Sequence, residues 1–112
     1  MNTAASDLDR AWALVGQQRF IEAAALSSAI LARYPGNVSA LACHAMANWK
    51  SGGDVATSIG EMQRAVAAAP AVASIRHNLA TLYASAGDPA GAAAEFGEAL
   101  RIKPDDTMAF YG

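Results

Sequence analysis

The sequence lacks a second cysteine, so Cys43 cannot form a disulfide within one copy of the chain. It also lacks a long hydrophobic run. The longest, residues 65–73, contains Pro70, whereas about 20 apolar residues are needed to span a bilayer. The N-terminal residues hold no apolar core of the kind found in secretory signals. These absences predict a cytoplasmic protein, with a secreted protein stripped of its signal as the alternative.

The sequence has no excess of positive charge. Its 8 basic and 10 acidic residues give a formal net charge of −2, and the basic residues are scattered along the chain. Neutralising phosphates requires clustered cations, so nucleic acid binding is not expected.

Motifs for catalysis are missing as well. The sequence has neither a glycine-rich phosphate loop nor a pattern that pairs a nucleophile with a base. Glu95 and Glu98 are three residues apart on a predicted solvated helix face, and Asp105 and Asp106 are interpreted as the start of a helix. We therefore expect no enzymatic activity.

A metal site or cofactor is not expected either. Cys43 and His44 are adjacent, so their side chains diverge by about 100° around a helix. Together with His77 they do not provide the three or four convergent ligands that zinc requires.

The sequence does contain an internal period. Pro35, Pro70 and Pro104 are 35 and then 34 residues apart. Small residues stand twelve positions before each proline and aliphatic residues stand four positions before, namely Ala23, Ser58 and Ala92, and then Leu31, Val66 and Leu100. A period of about 34 residues built from two helical stretches is a signature of helical repeat proteins.

Hydrophobic spacing and breaker residues predict six helices, over about 7–17, 20–33, 38–50, 55–68, 72–85 and 89–102. Ser6 and Asp54 are predicted N-caps of the first and fourth helices. Gly87 suits a left-handed position after the fifth helix, and Pro89 suits the first position of the sixth.

The third repeat carries the most specific pattern, Asn78-Leu79-Ala80, Tyr83, Gly87-Asp88, Ala92, Phe96, Ala99-Leu100, Ile102 and Pro104. With this pattern the chain resembles tetratricopeptide repeat proteins. The resemblance implies one all-α domain over residues 1–112, a right-handed α-solenoid of three helix-turn-helix repeats at about 4–37, 38–71 and 73–106. Residues 107–112 are predicted to cap the array or to begin a further helix. Phe96 and Leu100 are predicted core residues.

The resemblance also implies a concave groove, lined mainly by the first helix of each pair, that binds a peptide or a partner helix. The predicted groove residues are Asp9, Trp12, Cys43, Met46, Trp49, Lys50, His77, Asn78 and Thr81. The two tryptophans serve either as an aromatic platform or as packing between helices. Asn78 matches one position of a carboxylate-binding clamp, but Ala42 and Met46 cannot complete that clamp, so a structural hydrogen bond is the alternative.

The predicted function is therefore a protein–protein interaction scaffold. The alternative is an N-terminal regulatory or oligomerisation segment of a larger multi-domain enzyme, such as a transferase or hydroxylase. Self-association through the C-terminal end is a further possibility, because Met108, Phe110 and Tyr111 form only a short apolar stub there, with Phe110 predicted to lie against the sixth helix.

Overall fold

The computed structural model describes residues 3–104, with side chains from Ser6 onward, and this part of the chain consists of helices and short turns. The helices are α1 (Thr3–Gly16), α2 (Phe20–Arg33), α3 (Val38–Lys50), α4 (Val55–Ala68), α5 (Ala73–Ser85) and α6 (Pro89–Ile102). None of these helices is both long enough and apolar enough to cross a membrane.

The predicted helix boundaries agree with the structure, except that α5 begins at Ala73, one residue later than predicted, and that α1 begins earlier than predicted. That helix already includes Thr3, so Ser6 lies inside it and is not its N-cap, contrary to the prediction. Ala4 and Ala5 precede Ser6, and alanine continues a helix at little entropic cost, so no local signal stops the helix at Ser6.

Side-chain caps define three helix starts. The side chain of Asn37 accepts a hydrogen bond from the Ala40 amide at 2.9 Å, and Asp88 accepts one from the Gly91 amide at 2.9 Å. Asp54 caps α4 in the same way, as predicted. Gly87 has a φ of +79°, the left-handed conformation predicted for the end of α5.

Packing between helices follows the order of the chain. Each helix contacts the next one, and in addition α1 contacts α3 and α3 contacts α5. Within residues 3–104 no corresponding contact joins α2 to α4 or α4 to α6. The first helices of the pairs therefore form a continuous inner row, and the described residues form an all-α helical repeat solenoid.

Small residues allow the helices to pack closely. Ala23, Ala45, Ala65 and Ala80 are fully buried, and Ser58 is fully buried at the position that Ala23 occupies in the first repeat. The larger side chains of the central core come from α3, α4 and α5, namely Leu41, Met62, Ile75, Leu79 and Leu82. The hydrophobic core is consequently centred on α3, α4 and α5.

The predicted burial of Leu100 is wrong for the described part of the chain. Leu100 is 40% exposed, because no described helix covers the outer face of α6. Phe96 is half-buried and makes an edge-on contact with the ring of His77. The predicted further helix at 107–112, and the contact of Phe110 with α6, lie outside the described residues.

Candidate functional site

A groove of about 570 Å³ opens between the first helices of the three pairs. Its volume falls within the range of about 300–1,000 Å³ that is typical of ligand sites. The turn between α4 and α5 contributes one rim. The lining residues are Trp12 from α1, Val38, Ser39 and Ala42 from α3, Ala69 and Val72 from the turn, and Ser74, Ile75 and Asn78 from α5.

Trp12 forms the α1 side of the groove. Its indole Nε1–H donates a hydrogen bond to Ser39 Oγ at 2.9 Å, and its ring packs partly against the central core. The ring therefore packs between helices while it also lines the groove, and its use as an aromatic platform for a ligand stays a prediction. The hydrogen bond fixes its orientation relative to α3.

The α5 side of the groove carries two neutral polar residues. Ser74 and Asn78 are four positions apart, so they lie on the same face of α5, with Ile75 between them on the groove lining. Neither polar side chain makes a hydrogen bond to another side chain or to backbone within residues 6–104. The structural hydrogen bond considered for Asn78 is absent from this range, and its amide is available to a ligand.

Val72 stands at the rim and is 40% exposed. Its backbone occupies the N-cap position of α5 in an extended conformation, with φ −99° and ψ 107°, but a valine cannot cap the helix through its side chain. In the preceding repeat the residue at the same distance from the proline is Asn37, which does cap its helix.

Among residues 6–104, no charged side chain lines the groove. The cation nearest in sequence on α5, Arg76, donates to Glu95 Oε1 at 3.0 Å and to the Pro70 carbonyl at 3.1 Å. The Arg76–Glu95 pair is mostly buried and joins α5 to α6. This guanidinium is therefore held by the protein itself, and the groove offers only apolar contacts and neutral hydrogen-bonding groups.

Neither a protein-family model nor a curated protein matches the chain. Solved structures do match it. MamA from Desulfovibrio magneticus RS-1 has a TM-score of 0.79 and 18% identity, over 94% of this chain and 59% of MamA. The second TPR of Spaghetti (RPAP3), bound to the HSP90 peptide SRMEEVD, has a TM-score of 0.79 and 18% identity, over 91% of this chain and 94% of that one.

A third solved structure is YrrB, a TPR protein with an unusual peptide-binding site, with a TM-score of 0.81 and 16% identity over 99% of this chain. The chain has the tetratricopeptide repeat fold. It spans 57% of the YrrB chain and 59% of the MamA chain, so the TPR helices described here correspond to part of those proteins. At sequence identities of 16–18%, the similarity to these structures shows a shared fold.

Within the TPR array, the structure places two of the predicted groove residues, Trp12 and Asn78, on the groove lining. The prediction that two other residues line the groove is wrong, because both are buried. Cys43 is fully buried, and His77 is buried with its ring edge against Phe96, so neither side chain can contact a groove ligand directly. Burial raises the pKa of the Cys43 thiol to about 11, and a hydrogen bond with Ser27 offsets part of this effect.

The remaining predicted residues lie away from the groove lining. Met46 and Trp49 pack against the central core, which is the packing interpretation of Trp49. The Lys50 ammonium lies 4.4 Å from the centroid of the Trp49 ring. Thr81 Oγ1 donates to the carbonyl oxygen of His77. Asp9 is exposed and is not among the lining residues.

The predicted residues of the TPR groove did not include the apolar ones that line it, namely Val38, Ala69, Val72 and Ile75. Three of them lie at or beside the turns between repeats, where the repeat pattern predicts connections and not ligand contacts. One signal was available for Val72, because a valine stood where the preceding repeat has an asparagine next to a helix start.

Proposed function

We propose that the chain is a protein-interaction scaffold that holds a peptide segment or partner helix in the groove between α1, α3 and α5. One observation carries this proposal. Three consecutive repeats share a single groove whose polar side chains on α5, Ser74 and Asn78, keep unused hydrogen-bonding capacity. Ligand sites typically combine apolar walls with a few such polar groups.

The comparisons support a binding role. Two similar structures are of proteins that bind peptides, since YrrB has an unusual peptide-binding site and the second TPR of Spaghetti (RPAP3) is bound to an HSP90 peptide. The chemistry of the described residues also favours binding over catalysis. The one thiol is buried with a raised pKa of about 11, so it is a poor nucleophile near neutral pH.

The proposal is tested by selecting ligands from random peptides displayed both within a loop and with a free carboxyl end. Selected peptides are then measured by fluorescence polarisation against the wild type and Ser74→Tyr, which places a ring in the groove. Ser28→Tyr on the exposed face of α2 is the matched control. We expect Ser74→Tyr to weaken binding by at least about tenfold and Ser28→Tyr to have little effect.

Two results would reject the groove. One is the absence of any selected peptide, and the other is equal binding by Ser74→Tyr and the wild type. Far-ultraviolet circular dichroism and thermal unfolding of both tyrosine variants distinguish lost binding from lost structure. Nitrogen-15 NMR shifts at Trp12 Nε1 and the Asn78 side-chain amide provide a second readout of occupancy.

A second role rests on the exposed outer face of α6. Leu100 is 40% exposed there, and a repeat normally buries this face against a neighbour. We propose that this face packs against a second copy of the chain, which also fits the alternative of an oligomerisation or regulatory segment within a larger enzyme. Light scattering over a concentration series tests it. We expect Leu100→Glu to abolish association, and a wild type that stays monomeric at several hundred micromolar would refute self-association.

A further inference from the structure

We propose that the groove selects an uncharged, apolar peptide segment bound along its length, and that Val72 is a residue that determines this specificity. This inference rests on the proposed function and names the class of its ligand. It separates two kinds of partner that a repeat groove could hold, an apolar internal segment and an acidic carboxyl-terminal tail.

The charge of the groove lining disfavours an acidic ligand. A carboxylate taken from water into a groove needs a cation or several charge-assisted donors to offset its desolvation. The described lining residues include no lysine, arginine or histidine, and Arg76 is already paired with Glu95 and the Pro70 carbonyl. The formal net charge of −2 adds a weak long-range repulsion for acidic ligands. An acidic tail would therefore find no cationic side chain among the described lining residues and would depend on neutral donors such as the uncapped amides at the start of α5.

The hydrogen-bonding groups of the groove lining suit a peptide backbone. Ser39 Oγ accepts from Trp12, so its own O–H remains able to donate. The hydroxyl of Ser74 and the amide of Asn78 are neutral groups that both donate and accept. Neutral groups of this kind match the N–H and C=O groups of a peptide backbone, which an internal segment presents along its whole length. The walls beside them are aliphatic or aromatic and suit apolar side chains.

Val72 lines the groove at a position where a capping residue would stabilise α5. Asn37 caps α3 in the preceding repeat, and an asparagine at 72 would give α5 the cap that it lacks. The chain instead has a valine that is 40% exposed and lies at the rim of the groove. Positions that break a local rule are expected to be functional or strained sites, and Val72 is such a position on the groove lining. Contact between the valine side chain and an apolar ligand accounts for both its exposure and its identity.

The experiment compares Val72→Asn with Ile21→Asn. Ile21 is also a β-branched aliphatic residue and is 77% exposed on α2, away from the groove, so it is a matched control. Peptides selected on the wild type are measured by tryptophan fluorescence in a Trp49→Phe background, where Trp12 in the groove is the remaining tryptophan. The acidic peptide SRMEEVD serves as the charged probe, because a similar TPR structure contains it.

We expect the selected peptides to be rich in large apolar residues, poor in charge and indifferent to whether their carboxyl end is free. Val72→Asn should weaken their binding by about tenfold, while Ile21→Asn leaves it within about twofold. Binding should change little between about 50 and 500 mM salt. SRMEEVD should not bind.

The experiment distinguishes failure of this inference from failure of the proposed function. Selected peptides that are acidic, that need a free carboxylate or that dissociate at high salt would overturn this inference while leaving the proposed function intact. Equal binding by Val72→Asn and the wild type would remove the role of Val72. Failure of the proposed function is recognised separately, by the lack of any selected peptide or by unchanged binding to Ser74→Tyr.

Discussion

Two adjacent residues of α5 have different environments. His77 is buried against Phe96, whereas Asn78 lines the groove. One step along a helix rotates the side chain by about 100°, which is enough to move from one face to the next. At the scale of single residues, orientation around the helix axis separates core positions from ligand positions.

The buried thiol gives the first prediction. Cys43 should react slowly with a disulfide reagent at pH 8 in the native protein and rapidly in denaturant, because burial protects the thiol and raises its pKa to about 11. Its neutral form contributes stability that is fully present below the unfolded pKa of 9.0 and is lost as pH rises through about 11. Absorbance-monitored labelling measures the rate, and rapid native-state labelling would contradict the buried placement.

Burial also predicts that two large side chains contribute differently to the free energy of unfolding. Met62→Ala should lower the free energy of unfolding by about 2–5 kcal/mol, because Met62 is fully buried in the central core. Leu100→Ala should cost only about 1 kcal/mol, because much of that side chain is already in water. Urea unfolding followed by circular dichroism tests the pair. An equal loss in the two variants would show that α6 is covered.

At the scale of helices, the starts of α3 and α5 form a natural comparison. Asn37 accepts a backbone hydrogen bond from Ala40, whereas Val72 leaves the start of α5 without a side-chain cap. The two helices hold equivalent places in successive repeats, so the difference lies in the cap and not in the architecture.

This comparison predicts opposite effects of two substitutions. Asn37→Ala should destabilise the protein by about 1 kcal/mol, and Val72→Asn should stabilise it by about the same amount, since an N-cap side chain satisfies an orphan backbone donor. Thermal unfolding measures both. Destabilisation by Val72→Asn would mean that the valine supports the fold, and its role in ligand selection would then lose its main argument.

At the scale of the whole molecule, each part of the array is stabilised mainly by its immediate neighbours. Helix α3 contacts α1, α2, α4 and α5, whereas α6 contacts only α5 among the described helices. In a solenoid, local stability follows the number of such interfaces.

Amide hydrogen exchange should therefore be slowest in α3 and faster in α1 and α6, because terminal repeats open without disturbing the central core. Exchange read by NMR at single residues tests this order. Uniform protection across all six helices would instead indicate that the array unfolds as one unit.

The helices and their order were determined by the sequence alone, because their signals are local. Pro35, Pro70 and Gly87 lie just past helix ends, where proline cannot continue a helix and glycine adopts the left-handed conformation. Asp54 and Pro89 favour helix starts without help from distant residues. The missed start of α1 has the same origin, since Ala4 and Ala5 continue a helix as readily as Ser6 begins one.

Only the tertiary structure decided which side chains form the groove. Trp12 meets Ser39 from another repeat, and Val72 reaches the rim because the turn before α5 passes beside α3. Cys43 and Trp49 have suitable chemistry for a groove, but the rotation of α3 buries Cys43 and packs Trp49 against the central core. Such placements depend on the relative rotation and spacing of helices, which are set by packing over the whole array and leave no local mark in the sequence.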